Sequence, residues 1–174
     1  MNDCGKGVSG NITQHYSDSF GIDDFFLYVS CNVTVEQALS SIAILTPKFF
    51  ELEGCIFWEN SQTRNIRKKL NNICLDRENT EEKSEIKKRN ERYYNIFAID
   101  NFFQKWTLFS NLSISENEKN RRNVKVLLEF AKQIEKYWRL ALMDCYPDKT
   151  FEFQISENGI FDEKSVCLTF WQKI

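Results

Sequence analysis

Glu51 and Glu53 stand two residues apart within Phe49–Trp58, a run of aromatic and aliphatic residues that reads as a β-strand. Side chains at i and i+2 of a strand share a face, so the two carboxylates are expected on one side of it. Phe151–Ile155 alternates apolar with polar residues and carries Glu152. If the two strands were neighbours, three carboxylates would meet in one sheet cleft. Such a group can divide acid and base roles or hold a divalent cation. The competing reading is that these acids face water and keep the chain soluble. It carries more weight, so Glu51, Glu53 and Glu152 are weak catalytic candidates.

A second constellation is basic. Residues 60–92 hold ten Lys and Arg against six Asp and Glu, whereas residues 1–58 hold two Lys and seven acids. Arg64, Arg67, Lys68, Lys87, Lys88 and Arg89 are the candidate binding cations, and Tyr93 and Tyr94 follow them as rings that could stack on a base or anchor a protein partner. Against nucleic acid, Glu78, Glu81, Glu82, Glu85 and Glu91 are interleaved, and pairs such as Glu85 and Arg89 suit an ordinary solvated helix. The whole chain carries a net charge of −2, which also disfavours a nucleic-acid or acidic-membrane coat.

Other chemistries lack their signatures. His15 is the one histidine, and no C-x-x-C or H-E-x-x-H occurs, so neither a zinc site nor a His-activated nucleophile is expected. No G-x-S-x-G is present, and Cys4-Gly5-Lys6-Gly7 is no complete phosphate loop. No cofactor and no metal are expected. The six cysteines, Cys4, Cys31, Cys55, Cys74, Cys145 and Cys167, invite a disulfide reading. The polar start has no apolar signal segment and no run is long enough to span a bilayer, so reduced thiols and a cytoplasmic location are expected.

These side chains need elements to carry them. The strongest is residues 117–146, where Val124, Leu127, Leu128, Ala131, Ile134, Trp138, Ala141, Leu142 and Cys145 recur at helical spacing until Pro147. Thr34 with Gln37 forms a capping-box signature for a helix over Val35–Leu45, whose Val35, Ala38, Leu39, Ile42 and Leu45 are expected to face inward. Further helices are expected over Gln62–Leu75 and Glu81–Trp106, the latter with a break near Asp100–Asn101. Phe25–Val33 is a fourth candidate strand, and Val166–Gln172 alternates like Phe151–Ile155.

At 174 residues with fifteen Phe, six Tyr and four Trp, one aromatic-rich core is the natural reading. The expected fold is a single α+β domain over residues 21–174 behind a flexible arm at 1–20. A small, mainly antiparallel sheet of three or four strands has helices packed on one face, with helix 117–146 central. The leading expectation for function is a non-enzymatic protein-binding module with a protein partner. Bacterial toxin-neutralising immunity proteins have this general profile, and so do many adaptor domains. The alternatives are a carboxylate-based or metal-dependent hydrolase using Glu51 and Glu53, and nucleic-acid binding through 64–92.

Overall fold

The structure is a computed structural model that describes residues 30–31, 33–60, 63, 66, 80–102 and 115–173. The expected arm at 1–20, most of the candidate strand at 25–33 and most of the helix at 62–75 lie outside these residues; within them, Ser30 and Cys31 are helical. In chain order the elements are α1 (Val35–Leu45), β1 (Phe49–Leu52), β2 (Cys55–Trp58), α2 (Thr80–Tyr94), β3 (Phe97–Ala98), α3 (Ile99–Phe102), α4 (Glu116–Cys145), β4 (Phe151–Ser156) and β5 (Cys167–Gln172). The class is α+β, with two antiparallel sheets: β1–β2, and β3–β5–β4 with β5 in the middle.

The α4 helix follows the periodicity of its sequence. Leu127, Ala131, Ile134, Trp138 and Leu142 are buried and pack on Phe97, Leu168 and Phe170 of the three-stranded sheet. Cys145, expected on the same stripe, is exposed; it occupies the last helical position, beyond the final turn that the sheet covers. Tyr146 N–H closes on the Leu142 carbonyl at 2.8 Å before Pro147 stops the helix. The strand β5 is buried from Cys167 to Trp171, which explains its unbroken run of large side chains: neighbours cover both of its faces.

Phe49–Trp58 is not one strand but a hairpin. Glu53 and Gly54 both take positive φ, 52° and 74°, and Phe49 pairs with Trp58 and Leu52 with Cys55. Two consecutive left-handed residues give the twist that a two-residue hairpin requires. The turn also sorts the side chains into two cores. Phe49, Ile56 and Trp58 join the main core over Trp138, while Phe50, Leu52, Cys55 and Phe57 form a second cluster with Ile66 and Tyr94.

The helix expected over Glu81–Trp106 ends earlier. Tyr94 is the last residue of α2, Asn95 turns, and Phe97–Ala98 pairs with β5 opposite Leu168 and Cys167. Apolar residues continue through this break, so periodicity alone did not reveal it.

Candidate functional site

The three candidate acids occupy separate places. Glu53 sits exposed at the hairpin tip, on the turn itself. Glu51, on β1, is held by Lys149, whose Nζ lies 2.8 Å from Oε1. Glu152, on β4, accepts a 3.0 Å hydrogen bond from the Trp171 indole, with Lys173 at 3.9 Å. Among the described residues the strand that bears Glu51 pairs only within its own hairpin, and β4 pairs with β5. The shared strand face that would have aligned Glu51 with Glu53 therefore does not exist: the hairpin turn at 53–54 separates them. Among the described residues, no three His, Cys, Asp or Glu side chains are grouped so as to hold a metal ion.

Among the described residues, one carboxylate is taken out of water, and it is Glu91. It lies on the buried side of α2 with Asn95 one turn later. Oε1 accepts from the Ile56 backbone N–H at 2.6 Å and from the Gln172 carboxamide. Oε2 accepts from the Gln172 backbone N–H at 2.7 Å. Asn95 continues the bridge: Oδ1 accepts from Trp58 N–H at 3.2 Å, and Nδ2 donates to the carbonyls of Ile56 at 2.8 Å and Phe170 at 3.2 Å. Glu91 of α2 and Asn95 just past its end thus satisfy the free edge of β2 and the stretch of β5 beyond β3, and they join the two sheets. Unpaired edge groups in a dry interior would cost heavily.

Burial pushes the Glu91 carboxyl above the ordinary carboxylate value. The hydrogen bonds from Gln172 and Ile56 and the charge of Lys149 pull the other way without cancelling it. With both oxygens engaged and no exposed surface, this group is placed for architecture rather than for acid–base exchange. Sequence reading missed it by counting Glu91 among the solvated acids. The available signal was the Glu91/Asn95 spacing of four, next to Tyr94 on the apolar side of the helix.

The candidate binding residues divide. Arg64, Arg67 and Lys68 lie outside the described residues. Lys87 leans over the hairpin turn: a Cβ built on Gly54 would come within 2.7 Å of its Nζ. Tyr94 packs edge-on against Phe57, 6.2 Å between centroids, and is part of the second core rather than a free ring. Lys88 is half-buried, and Arg89 and Tyr93 face solvent. Tyr93 meets Phe161 edge-on at 5.5 Å, and the Arg92 guanidinium lies 5.7 Å over Phe161 and 5.1 Å over Trp171.

The least expected surface is on α1. The capping box forms as read: Gln37 N–H donates to Thr34 Oγ1 at 3.3 Å, and Thr34 N–H donates to Gln37 Oε1 at 2.9 Å. Only the final turn docks, with Ile44 and Leu45 against the main core and the Ile44 carbonyl accepting from Trp138 Nε1 at 2.7 Å. Val35, Leu39 and Ile42, expected to face inward, are 72%, 59% and 55% exposed. Of the expected inward stripe, Leu45 does pack on the core and Ala38 is half-buried, but Val35, Leu39 and Ile42 look outward. On α4, Tyr137, Leu140 and Met143 are also exposed.

The four described cysteines, Cys31, Cys55, Cys145 and Cys167, are free thiols. Burial pushes the Cys167 thiol up, and its Sγ lies 3.2 Å from the Ser165 carbonyl it donates to, which suits an inert core residue. No helix among the described residues is long and apolar enough to cross a membrane. No family model, no curated protein and no solved structure matches the chain.

Proposed function

We propose that the chain is a non-enzymatic protein-binding module that presents helix α1 to an apolar groove on a protein partner. The observation that carries this reading is the outward stripe of Val35, Leu39 and Ile42. These residues fall at i, i+4 and i+7, the spacing by which an amphipathic helix anchors in a groove. The helix is capped at its start and tied to the core at its end, so little ordering entropy remains to be lost on binding. Leaving three aliphatic side chains in water on a rigid element costs solubility without adding fold stability, which favours a binding role over an accident of packing. Glu36 in the first turn and the absence of basic residues in the last turn favour a groove with a basic rim.

In this reading the toxin-neutralising immunity class is the functional analogue: a small acidic protein that acts by covering another protein. The test is purification of the intact chain from its native host. The wild type should bring down one partner in stoichiometric amount. Leu39→Asp with Ile42→Asp should lose it while keeping the same circular dichroism and melting temperature, since neither side chain contributes to the core. Repeated recovery of the wild type as a free protein, or retention of the partner by the double variant, would overturn the proposal.

A further inference from the structure

The three-stranded sheet ends in an open edge whose backbone groups can be assigned residue by residue. In the order β3–β5–β4, β4 lies at the side. Its six residues pair one-to-one with β5, from Phe151 with Gln172 to Ser156 with Cys167, without a bulge. In an antiparallel pair, alternate residues turn their N–H and C=O groups toward the partner strand, and those between turn them away. Lys173 N–H donates to the Thr150 carbonyl at 2.9 Å, so Thr150 faces β5, and by alternation Glu152, Gln154 and Ser156 do too. The Phe151 carbonyl accepts instead from Arg139 Nη1 of α4, at 3.1 Å. Phe151, Phe153 and Ile155 therefore aim their backbone groups off the sheet. Among the described residues Arg139 alone takes up any of these groups, and a carbonyl has a second lone pair to offer.

The edge of β2 is treated differently. There Glu91 and Asn95 take up the backbone groups of Ile56 and Trp58. Among the described residues no side chain does so for Phe153 or Ile155, and β4 carries neither a proline nor a bulge, two common guards of a bare edge.

The side chains decide what can be added to β4. Phe151, Phe153 and Ile155 lie against the main core on the α4 side. Glu152 and Gln154 turn to the other face, where they meet Trp171 and Arg92. An added strand must repeat this alternation, and β4 itself does. Two copies related by a two-fold axis pair antiparallel, so donors meet acceptors wherever outward-facing residues stand opposite one another. A register centred on Glu152 would set the two Glu152 carboxylates directly opposite each other, which is destabilising. A register centred on Gln154 would leave Phe151 without a counterpart in the strand. Centred on Phe153, the pairing sets Phe153 against Phe153, Phe151 against Ile155 and Glu152 against the uncharged Gln154, and it engages every outward-facing residue of both copies. We infer that a second copy of this chain docks on the free edge of β4 in the Phe153-centred register, so that one continuous sheet runs through both copies. The two-fold uses up the β4 edge of each copy, and the pairing closes at a dimer. No residue of α1 takes part, so this inference and the α1 reading stand or fall independently.

Sedimentation and residue-resolved amide exchange of the intact chain over a concentration series test the inference. The wild type should pass from monomer to dimer between about 1 μM and 1 mM. Over that range the Phe151, Phe153 and Ile155 amides should gain protection, while those of Glu152, Gln154 and Ser156, already bonded to β5, should change little. Gln154→Glu keeps an oxygen acceptor for Arg92, so the melting temperature should hold. It also puts a carboxylate opposite Glu152 of the other copy, twice over by symmetry, and should weaken association by roughly tenfold. Adding Glu152→Gln, which keeps an acceptor for the Trp171 indole, should restore it. A wild type that stays monomeric up to roughly 1 mM would overturn the inference and leave the edge to a strand of another protein. A dimer whose three edge amides gain no protection, or that Gln154→Glu leaves unchanged, would overturn it too, because another surface would then make the contact. A double variant as weak as Gln154→Glu alone would overturn the register.

Discussion

At the residue scale, the side chain with the sharpest consequences is Glu91. Its carboxylate receives three N–H groups, two from backbone and one from Gln172, and a carboxamide cannot reproduce that. In Glu91→Gln one NH₂ group must face an N–H donor, leaving both without an acceptor. The expected loss is about 1–3 kcal/mol, the cost of a buried unsatisfied polar group, read as a lower urea midpoint at neutral pH. The pH dependence has a definite sign. Burial holds the folded-state carboxyl above its ordinary value, so the folded form binds the proton more tightly than the unfolded chain. That contribution to stability is fully present below the ordinary carboxylate value and is lost as pH rises through the higher folded value. The wild type should therefore lose stability relative to the Glu91→Gln variant, which does not titrate at this position, as pH rises from about 4.5 toward neutrality. A difference between the two that stays constant across urea titrations over this range would show that the three hydrogen bonds fully offset the burial.

At the scale of elements, the hairpin and the first helix show what local sequence can and cannot tell. The turn at 53–54 places Glu at φ 52°, a position where Asn is far better accommodated than Glu. Among the described residues no hydrogen bond or ion pair engages the exposed Glu53 side chain, so Glu53→Asn should raise stability by about 0.5–1 kcal/mol, seen as a higher melting temperature. A lower one would mean that the turn is not of the two-residue type described. The same unfavourable Glu hid the turn from sequence reading. Glu-Gly is a weak turn signal, and Phe49–Trp58 looks like one strand until a chain reversal is assumed. By contrast, the capping box at Thr34 and Gln37 was legible because it closes over three residues, and α4 because its stripe recurs through the whole helix. The outward stripe of α1 was misread for a different reason: periodicity shows that a helix has two faces, not which of them the rest of the chain covers. Glu51 and Glu53 were expected on one face because a single strand was assumed, and the turn at 53–54 separates them; the positions of Arg89 and Tyr93 depend on one helix alone, and both reach the surface.

At the scale of the whole molecule, the elements converge on Trp138. Its ring meets Phe49 at 5.9 Å, Trp58 at 5.5 Å, Phe97 at 5.8 Å and Phe170 at 6.0 Å, mostly edge-on. Those four residues come from both strands of the hairpin and from β3 and β5. The indole N–H reaches the Ile44 carbonyl, so the same side chain also anchors the last turn of α1, where Ile44 and Leu45 pack on the main core while Val35, Leu39 and Ile42 stay in water. One residue of α4 thus links both sheets and the helix proposed to engage a partner. Trp138→Phe keeps an aromatic ring but removes the indole donor and part of the volume, and should cost about 2 kcal/mol or more in urea unfolding. Leu142→Ala, one turn away on the same buried stripe, should cost a comparable ~2–5 kcal/mol without touching the α1 anchor. Amide hydrogen exchange separates the two. Loss of the indole bond should selectively lower protection in the last turn of α1, whereas the leucine variant should lower protection across the core and leave α1 no worse than the rest. If both variants deprotect α1 to the same degree, the helix is held by general packing and not by this bond. In that case, binding variants on α1 would have to be judged against the stability of the entire fold.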